Sequence, residues 1–316
     1  MHELLPLSWT RIDSLRPIYR TITLPLSGIT WITYADIPRN YSFEILHEDL
    51  TASYSDGYVF RGCTQKMSNY FAASHCSILR TGAEAVLDLH SSHIEKKTVV
   101  SSLVRGKKQG VAEEIALSDL HQKHFEQFRR ETTHAGKPQL HHLFRELPSR
   151  ISRCFVFRAF SGKWLAAITL SQRGKVEMHT ELMLRHRNAP GDIMECLVAA
   201  IFELLRHEGM REWSLGEVPF IQLMQSSEEV LTPMEQLMVS LAHRCKHAYD
   251  FEGLYRFKNK FAPIWRPVML CTNTTPTPLM LVELAFSMGF TNLLMHESFV
   301  HSLKPFYFPK VLFLQQ

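Results

Sequence analysis

Three short, mostly apolar runs stand between polar turn residues in the second half of the chain. The runs are CFVFRAF (154–160), WLAAITL (164–170) and KVEMHTELML (175–184), and the turn residues Ser161-Gly162 and Arg173-Gly174 separate them. Runs of this length joined by short turns predict successive antiparallel strands. The sequence therefore predicts a three-stranded antiparallel unit here.

A helix with one apolar face is predicted directly after these strands. The loop Asn188-Ala-Pro-Gly191 leads into residues 192–207, where apolar side chains recur at positions 193, 194, 197, 198, 201, 204 and 205. This spacing follows the 3.6-residue period of a helix that packs on a core. Gly209 closes the predicted helix, and residues 213–216 begin another strand.

The first half of the chain repeats this order of elements more weakly. Alternating apolar residues predict a strand over Ala85–Leu89, and a basic helix is predicted from Lys96 to Gln109. Gly110 is placed to cap that helix, after which Val111–Leu117 returns to an extended pattern. Each half thus carries strands, a helix and a further strand.

This element order predicts the fold class and a division of the chain. Strands, a loop that feeds a helix N-terminus and a further strand are the order of an N-acetyltransferase core. We expect an α+β protein of tandem acetyltransferase-like (GNAT-type) domains, with mixed, mostly antiparallel sheets flanked by helices. The polar stretch Glu131–Gln139 predicts a linker, so the expected domains are residues 1–145 and 146–316.

Composition narrows the class of protein without identifying it. With 45% hydrophobic and 21% charged residues, the chain has the make-up of a soluble globular protein. A net charge of +4 and 17 histidines permit an anionic partner. The six cysteines contain no C-x-x-C pair, which argues against a zinc ribbon or a thioredoxin-like site and predicts reduced, mostly buried thiols. We expect no metal and a cytoplasmic location.

Glu181 and Arg185 are the first candidates for chemistry. They stand four residues apart at the end of a predicted strand, just before a helix N-terminus. They are either a surface ion pair or part of an anion site, because helix N-termini favour phosphate groups. The loop RHRNAPGD lacks the glycine spacing with which acetyltransferases wrap the pyrophosphate of coenzyme A, and its proline removes one backbone donor.

Motifs along the chain resemble one known family. They are Glu181-Leu-Met-Leu-Arg185, Asn188-Ala-Pro-Gly191, Leu215-Gly216-Glu-Val-Pro219 and Gly253-Leu-x-x-Phe257-Lys258-x-Lys260-Phe261-x-Pro263-x-Trp265-x-Pro267, with weaker matches at Gly82-Ala-Glu84 and Arg105-Gly-Lys-Lys-Gln-Gly110. The set resembles the C-terminal catalytic domain of phosphatidylglycerol lysyltransferases, the lipid-modifying multiple peptide resistance factors. Two positions depart from the family pattern: Glu217 follows the Leu-Gly pair where an apolar residue is usual, and Arg266 replaces the glutamate of Trp-Glu-Pro.

The resemblance implies an activity and its substrates. It implies transfer of an aminoacyl group from an aminoacyl-tRNA, with no cofactor, to a hydroxyl of a polar lipid such as phosphatidylglycerol, or to a small hydroxyl or amine acceptor. The membrane-spanning portion of well-known members has no counterpart here. Pro276–Phe290 and the run LKPFYFPKVLFL are apolar enough to lie on a bilayer, although a core helix with a packed strand explains them too. Peripheral contact with the inner face of a membrane is therefore an expectation.

The same resemblance suggests roles for particular residues. Glu181 is predicted to activate or orient the acceptor hydroxyl, and Arg185 to hold a phosphate. Lys258 and Lys260 are predicted to reach the tRNA terminus or the developing oxyanion, or else to form a solvated strand edge. Tyr249 either hydrogen-bonds within the site or is structural. The predicted substrate-binding positions are Gly191, Gly216, Gly253, Arg105, Lys107 and Lys108.

Three of these interpretations stay open against simpler ones. The basic helix with Arg105, Lys107 and Lys108 contacts tRNA phosphates or is merely a solvated helix face. The aromatic residues Phe257, Phe261 and Trp265 are more typical of a core than of a substrate site. The function itself is an aminoacyltransferase, a coenzyme A-dependent N-acyltransferase of the same fold, or a tRNA- or lipid-binding module without catalysis.

Overall fold

The strands of the protein form a single mixed sheet. The computed structural model describes residues 3–116, 119–145, 152–221, 223 and 231–303. Within these residues eleven strands hydrogen-bond into one sheet. They are β1 (Thr10–Ile12), β2 (Ile18–Thr23), β3 (Thr30–Pro38), β4 (Tyr58–Cys63), β5 (Ser77–Asp88), β6 (Gly110–Ile115), β7 (Ser152–Ala159), β8 (Trp164–Gln172), β9 (Glu177–Arg185), β10 (Glu212–Pro219) and β11 (Ile264–Thr272).

Helices cover the sheet. They are α1 (Phe43–Ser53), α2 (Gln65–Ala73), α3 (Lys97–Gly106), α4 (Asp119–Arg129), α5 (Ile193–His207), α6 (Pro233–Cys245), α7 (Phe251–Asn259), α8 (Pro278–Ser287) and α9 (Phe290–Leu303). Local sequence explains several of their starts, since polar side chains cap the first backbone N–H groups. Thr232 and Glu235 form a reciprocal capping box at α6, and Asp250 caps α7 through the N–H of Gly253.

The predicted elements of the second half are confirmed to within a few residues. The three antiparallel runs are β7, β8 and β9, and the apolar-faced helix is α5. In the first half, the short strand predicted at Ala85–Leu89 is part of the twelve-residue β5. The strand-edge interpretation of Lys258 is wrong, because that residue lies on α7. Phe261 is fully buried and Phe257 and Trp265 pack against the same core, as expected of core aromatics.

The sheet order runs β1, β3, β4, β11, β5, β10, β9, β8, β7, β6, with β2 attached to β3. Strand β11, from the second half of the chain, therefore lies between β4 and β5 of the first half. Strand β6, from the first half, pairs with β7 at the far edge. The division into residues 1–145 and 146–316 stays a prediction, and the sheet has no break at that boundary.

The segment predicted as a linker is packed against the sheet. The N–H of Thr133 donates to the carbonyl of Arg185 at 3.0 Å, and Thr132 forms an isolated bridge with His186. Farther along, the N–H of His141 donates to Met288 at 2.9 Å. The backbone of residues 131–141 is thus tied to β9 and to the end of α8.

Strands β9 and β10 separate part of the way along their length. They pair in parallel only where Glu212–Ser214 faces Glu177–His179. Beyond this point β10 has an irregularity between Ser214 and Glu217 in its pairing with β5, and Gly216 has a φ of +86°. Only glycine adopts this φ without strain. We call the space opened between these diverging strands the strand gap; it is bordered by Thr180 and Gly216.

The N-terminal segment, which is the part of the chain from residue 3 to the start of β1, contacts β4 through Leu7 and Gly62. This contact gives a stability prediction. Gly62 has a φ of +85°, and a Cβ there would lie 2.6 Å from the backbone N of Leu7, whereas Gly28 has a φ of +73° and open space. We expect Gly28→Ala to cost about 1–2 kcal/mol from backbone strain alone. Gly62→Ala should cost about 1–3 kcal/mol more because of overpacking. Urea unfolding of both variants measures the difference, and equal costs would contradict this contact.

Candidate functional site

A lysine amine occupies the strand gap. Lys258 extends from α7 and is only 3% exposed. Its Nζ donates to the carbonyl of Glu217 at 3.0 Å, and a Cβ on Gly216 would lie 3.5 Å from it. The absent side chain at Gly216 and the diverging strands together leave room for the amine at this point.

Burial gives this amine an unusual affinity for protons. Desolvation lowers the pKa of Lys258 to about 7, and the carboxylates of Glu217 and Glu84 offset only part of the effect. At neutral pH the amine is therefore present in both charged and neutral forms. A group with this property can accept a proton and return it, as general acid–base catalysis requires.

Glu217 supplies a carboxylate beside this amine. Its Oε1 accepts a hydrogen bond from the hydroxyl of Thr81 at 2.9 Å, and its Oε2 lies 3.3 Å from Nη1 of Arg61. Tyr249 is partly buried nearby, where desolvation, and secondarily the charge of Glu217, raise its pKa to about 12. Two strands of the first half thus contribute Arg61 and Thr81 to a site that also contains α7.

Buried polar residues also line the gap on β9 and its neighbours. His179 is 3% exposed, and desolvation, reinforced by the charges of Arg173 and Lys258, holds its pKa well below its usual value. Its Nδ1 lies 3.3 Å from the hydroxyl of Ser214. Arg173 and Glu84 form an ion pair at 2.6 Å, with both side chains less than 5% exposed. His179 is therefore neutral at physiological pH and can only exchange neutral hydrogen bonds.

Glu181 follows Thr180 on β9, and its carboxylate accepts three hydrogen bonds. Its carboxylate accepts from the hydroxyl of Ser8 at 2.8 Å, the hydroxyl of Ser171 at 2.5 Å and the N–H of Arg145 at 2.9 Å. Burial nevertheless raises its pKa. In this conformation Glu181 joins Ser8, Ser171 on β8 and the backbone of Arg145, and its predicted part in activating the acceptor stays a prediction.

Most of the other predicted residues gather at a second place, the N-terminus of α5. Arg105 pairs with Asp192 at 2.5 Å, and Lys260 pairs with Glu195 at 2.6 Å. The hydrogen bond from Arg105 lowers the pKa of Asp192 to about 2. Gly106 packs so closely that a Cβ would overlap the sulfur of Cys196. Charged side chains and α3 therefore already occupy this helix N-terminus.

The remaining predicted positions are spread more widely. Lys107 and Lys108, just after α3, and Gly191, just before α5, are exposed. Arg185 is partly exposed at the end of β9, four residues from Glu181, a separation of about 13 Å along a strand. Gly253 accommodates the capping carboxylate of Asp250, since a Cβ there would overlap it. The structure thus brings Lys258 to Gly216 and places Tyr249 near Glu217, whereas Arg105 and Lys260 pair with carboxylates at the N-terminus of α5.

Several residues of the site were not predicted to act in it. They are Ser8, Arg61, Thr81, Glu84, Arg145, Arg173, His179 and Glu217. Glu217 had a signal in the sequence, because it departs from the family pattern next to Gly216. The others come from strands and loops far apart in the chain, and no local spacing joins them.

The described residues contain neither a disulfide nor a cluster of metal ligands. All six cysteines are unpaired, and five of them are buried. Within the described residues, no group of three or more histidine, cysteine, aspartate or glutamate side chains is arranged to hold a metal ion.

Two solved structures share this fold. The structure of L-PGS from Bacillus licheniformis superimposes with a TM-score of 0.66 at 16% identity, over 86% of each chain. The C-terminal domain of a putative lysylphosphatidylglycerol synthetase from Agrobacterium fabrum gives 0.58 at 21% identity, over 83% of this chain and 81% of that one. The predicted α+β, acetyltransferase-like fold class is confirmed. The fold is therefore of the acetyltransferase-like class.

The family is also shown by sequence. The family described as "Phosphatidylglycerol lysyltransferase, C-terminal" matches residues 46–272, more than half of the chain. The chain therefore belongs to this family, as the motifs indicated. A phosphatidylglycerol lysyltransferase of Bacillus subtilis (strain 168) is 27% identical over 90 residues, which are 28% of this chain and 10% of that protein. The matched segment is thus about a tenth of the length of that relative.

The buried amine predicts a pH dependence of stability. Below about pH 7 the amine is charged in both the folded and the unfolded chain, so pH has no effect through it. Between about 7 and 10.5 only the unfolded chain keeps the proton, so raising the pH stabilises the fold by up to about 1.4 kcal/mol per unit. We expect the stability of the wild type to rise over this range relative to Lys258→Met.

Denaturant unfolding at a series of pH values measures this difference. Lys260→Met is the matched control. Lys260 lies only two residues after Lys258, directly after α7, but its side chain is 48% exposed. Its stability relative to the wild type should change little over the same range. A Lys258→Met difference that is constant from pH 7 to 10 would contradict the lowered pKa.

Proposed function

We propose that this protein transfers an aminoacyl group from an aminoacyl-tRNA to a hydroxyl of a polar lipid, with phosphatidylglycerol as the first candidate. The observation that carries the proposal is the amine of Lys258, buried in the strand gap with a pKa of about 7. Membership of the phosphatidylglycerol lysyltransferase family and the likeness of fold to L-PGS support it. An aminoacyl ester is already activated, so positioning and proton transfer are the main tasks left to the protein.

The proposed reaction needs one group that moves a proton. Neutral Lys258 accepts the proton of the acceptor hydroxyl while the hydroxyl oxygen attacks the ester carbonyl. The tetrahedral intermediate then collapses, the bond between the carbonyl carbon and the tRNA ribose oxygen breaks, and Lys258 returns its proton to that oxygen. The charged amine formed in between also stabilises the developing oxyanion. Glu181 stays a candidate for orienting the acceptor.

The coenzyme A alternative has less support at its expected binding place. Acetyltransferases hold a pyrophosphate at the helix that follows the central strands, and here that helix is α5. Its N-terminus carries Asp192, whose negative charge is paired with Arg105, and Glu195, which is paired with Lys260. These ion pairs occupy the helix N-terminus that an incoming pyrophosphate would need. The same exposed cations, with Lys107 and Lys108, suit longer-range attraction of a tRNA acceptor stem.

An exposed apolar surface is proposed to contact the membrane that contains the acceptor. Helix α8 buries Met280 and Leu284 in the core but exposes other apolar side chains, and α9 does the same. These exposed residues, which we call the apolar face, are Leu279, Val282, Phe286, Met295 and Phe299. Among the described residues no single helix is long and apolar enough to cross a bilayer, while α8 with Phe290–Val300 passes that test only as a pair bent by 74°.

The sequence left open whether Pro276–Phe290 is a core helix or a surface that lies on a bilayer, and the segment combines the two. Part of Pro276–Phe290 is a core helix, and part of its surface is free to lie on lipid. The second run, LKPFYFPKVLFL, lies outside the described residues after its first leucine. A family defined by a lipid acceptor makes a lipid surface the expected occupant of the apolar face.

A transfer assay tests the proposed reaction. Purified protein is incubated with labelled aminoacyl-tRNA and vesicles containing phosphatidylglycerol, and label is followed into lipid. We expect transfer that rises with pH through about 7 as Lys258 loses its proton. Lys258→Ala and Lys258→Arg should lower the rate about 10²–10⁴-fold, because neither variant accepts a proton. Raising the salt concentration should weaken tRNA binding steeply.

Controls separate this function from its alternatives. Lys260→Ala removes an exposed amine of the same segment and should retain most of the activity. Turnover of acetyl-coenzyme A without any aminoacyl transfer would favour the N-acyltransferase. Binding of tRNA or lipid without turnover of either donor would favour a module without catalysis. Full transfer by Lys258→Ala would exclude the assigned role of this lysine.

Vesicle binding tests the apolar face. Phe286 is 64% exposed on α8, and Phe160 is 71% exposed in the turn after β7. We expect Phe286→Asp to reduce co-sedimentation with phosphatidylglycerol vesicles about tenfold, because it places a charge in the lipid interface. The matched variant Phe160→Asp should sediment like the wild type. Equal behaviour of the two variants would exclude α8 as the contact.

A further inference from the structure

The carboxylate of Glu217 lies beside the reactive amine and has no part in the reaction proposed above. Lys258 donates to the backbone carbonyl of Glu217 itself, so the two residues are in direct contact. The Glu217 side chain is 10% exposed. A nearly buried carboxylate needs partners that compensate for its lost hydration.

The partners of Glu217 hold it loosely. Its contact with Arg61 is a single one of 3.3 Å, longer than the 2.7–2.9 Å usual for charge-assisted bonds. By contrast, Arg80 holds Glu235 with two bonds of 2.8 and 2.9 Å. Each oxygen of a carboxylate can accept two hydrogen bonds, and Glu217 has one described partner on each. It therefore has acceptor capacity left for a ligand.

The other carboxylates around the strand gap are held by shorter contacts to cations or to several donors. Glu84 is paired with Arg173 at 2.6 Å inside the protein. Glu181 accepts three hydrogen bonds from Ser8, Ser171 and the backbone of Arg145. An aminoacyl ester brings an α-ammonium group into this site, and burying that charge without a partner costs several kcal/mol. Glu217 is the carboxylate that can receive it.

We propose that Glu217 binds the α-ammonium group of the aminoacyl donor. The inference rests on the proposed function, because it requires an aminoacyl ester in the strand gap. The α-carbon carries both the ammonium group and the ester carbonyl. An ammonium held at the Glu217 carboxylate therefore presents the carbonyl to the amine of Lys258, which contacts the backbone of the same residue. Glu217 then distinguishes an aminoacyl donor from one whose amine is acylated.

A comparison of two donors tests this recognition. One is an aminoacyl-tRNA with a free α-amine, and the other is the same aminoacyl-tRNA after N-acetylation, which removes the charge. The wild type should prefer the free amine about 10–100-fold, the value of one hydrogen bond between charged groups. Glu217→Gln keeps the shape of the side chain and should lower this preference at least about tenfold.

A second variant and a control make the result specific. Thr81→Val removes the hydroxyl that orients Oε1 and keeps the charge, so the preference should fall by a smaller factor of about threefold. It reports on the same carboxylate if Glu217→Gln fails to fold. Glu212→Gln removes a carboxylate from the same strand, one that pairs with Arg266 at 2.6 Å, and should leave the preference unchanged.

The ratio of the two rates separates this inference from the proposed function. Any effect of Glu217→Gln on the proton affinity of Lys258 acts equally on both donors and cancels in the ratio. Transfer by the wild type with a preference that neither Glu217→Gln nor Thr81→Val alters would overturn the role of Glu217 and leave the function standing. No transfer by the wild type from either donor would overturn the function, and the role of Glu217 with it.

Discussion

The burial of one amine in the gap between two diverging strands is the constraint on which the site depends. Lys258 reaches this place because β9 and β10 stop pairing after Ser214, and because Gly216 adopts a backbone conformation that brings no side chain into the gap. Desolvation there lowers the pKa of the amine to about 7. Without the separation of the strands, the lysine would be an ordinary surface cation with no reason to exchange protons at neutral pH.

The surroundings of this amine show how a protein keeps several charges inside a sheet. Arg173 and Glu84 neutralise each other, and Arg145 bonds to Asp36 at 2.6 Å and to the carbonyl of Ser8. His179 stays neutral beside these cations. The N-terminal segment takes part in the arrangement through Ser8 and through the carbonyl of Leu5, which accepts from Arg173. Contacts around the gap thus join the residues before β1 to side chains on β3, β5 and β9.

Sequence patterns predicted the parts of this protein whose causes are local. Short apolar runs located β7, β8 and β9, whose side chains pack into two separate core clusters, and the 3.6-residue period located α5. Motif resemblance singled out Lys258, Glu181 and Gly216 as site residues, and their roles stay predictions. The assembly of the site was not predictable, since Arg61, Thr81 and Glu84 reach it only through sheet pairing between distant segments. The ion pairs of Arg105 with Asp192 and of Lys260 with Glu195 were not predictable either, because each joins residues far apart in the chain.

The position of β11 also has a consequence for how the chain folds. Residues 264–272 fill the place between β4 and β5, two strands formed by residues 58–88. Until the ribosome has released these late residues, the two early strands each have an edge with unpaired backbone groups. Such edges pair readily with other chains. Closure of the sheet therefore requires pairing between residues far apart in the chain, such as Ile264 with Val86. Pairing over such sequence separations slows folding, and the unpaired edges favour aggregation until it is complete.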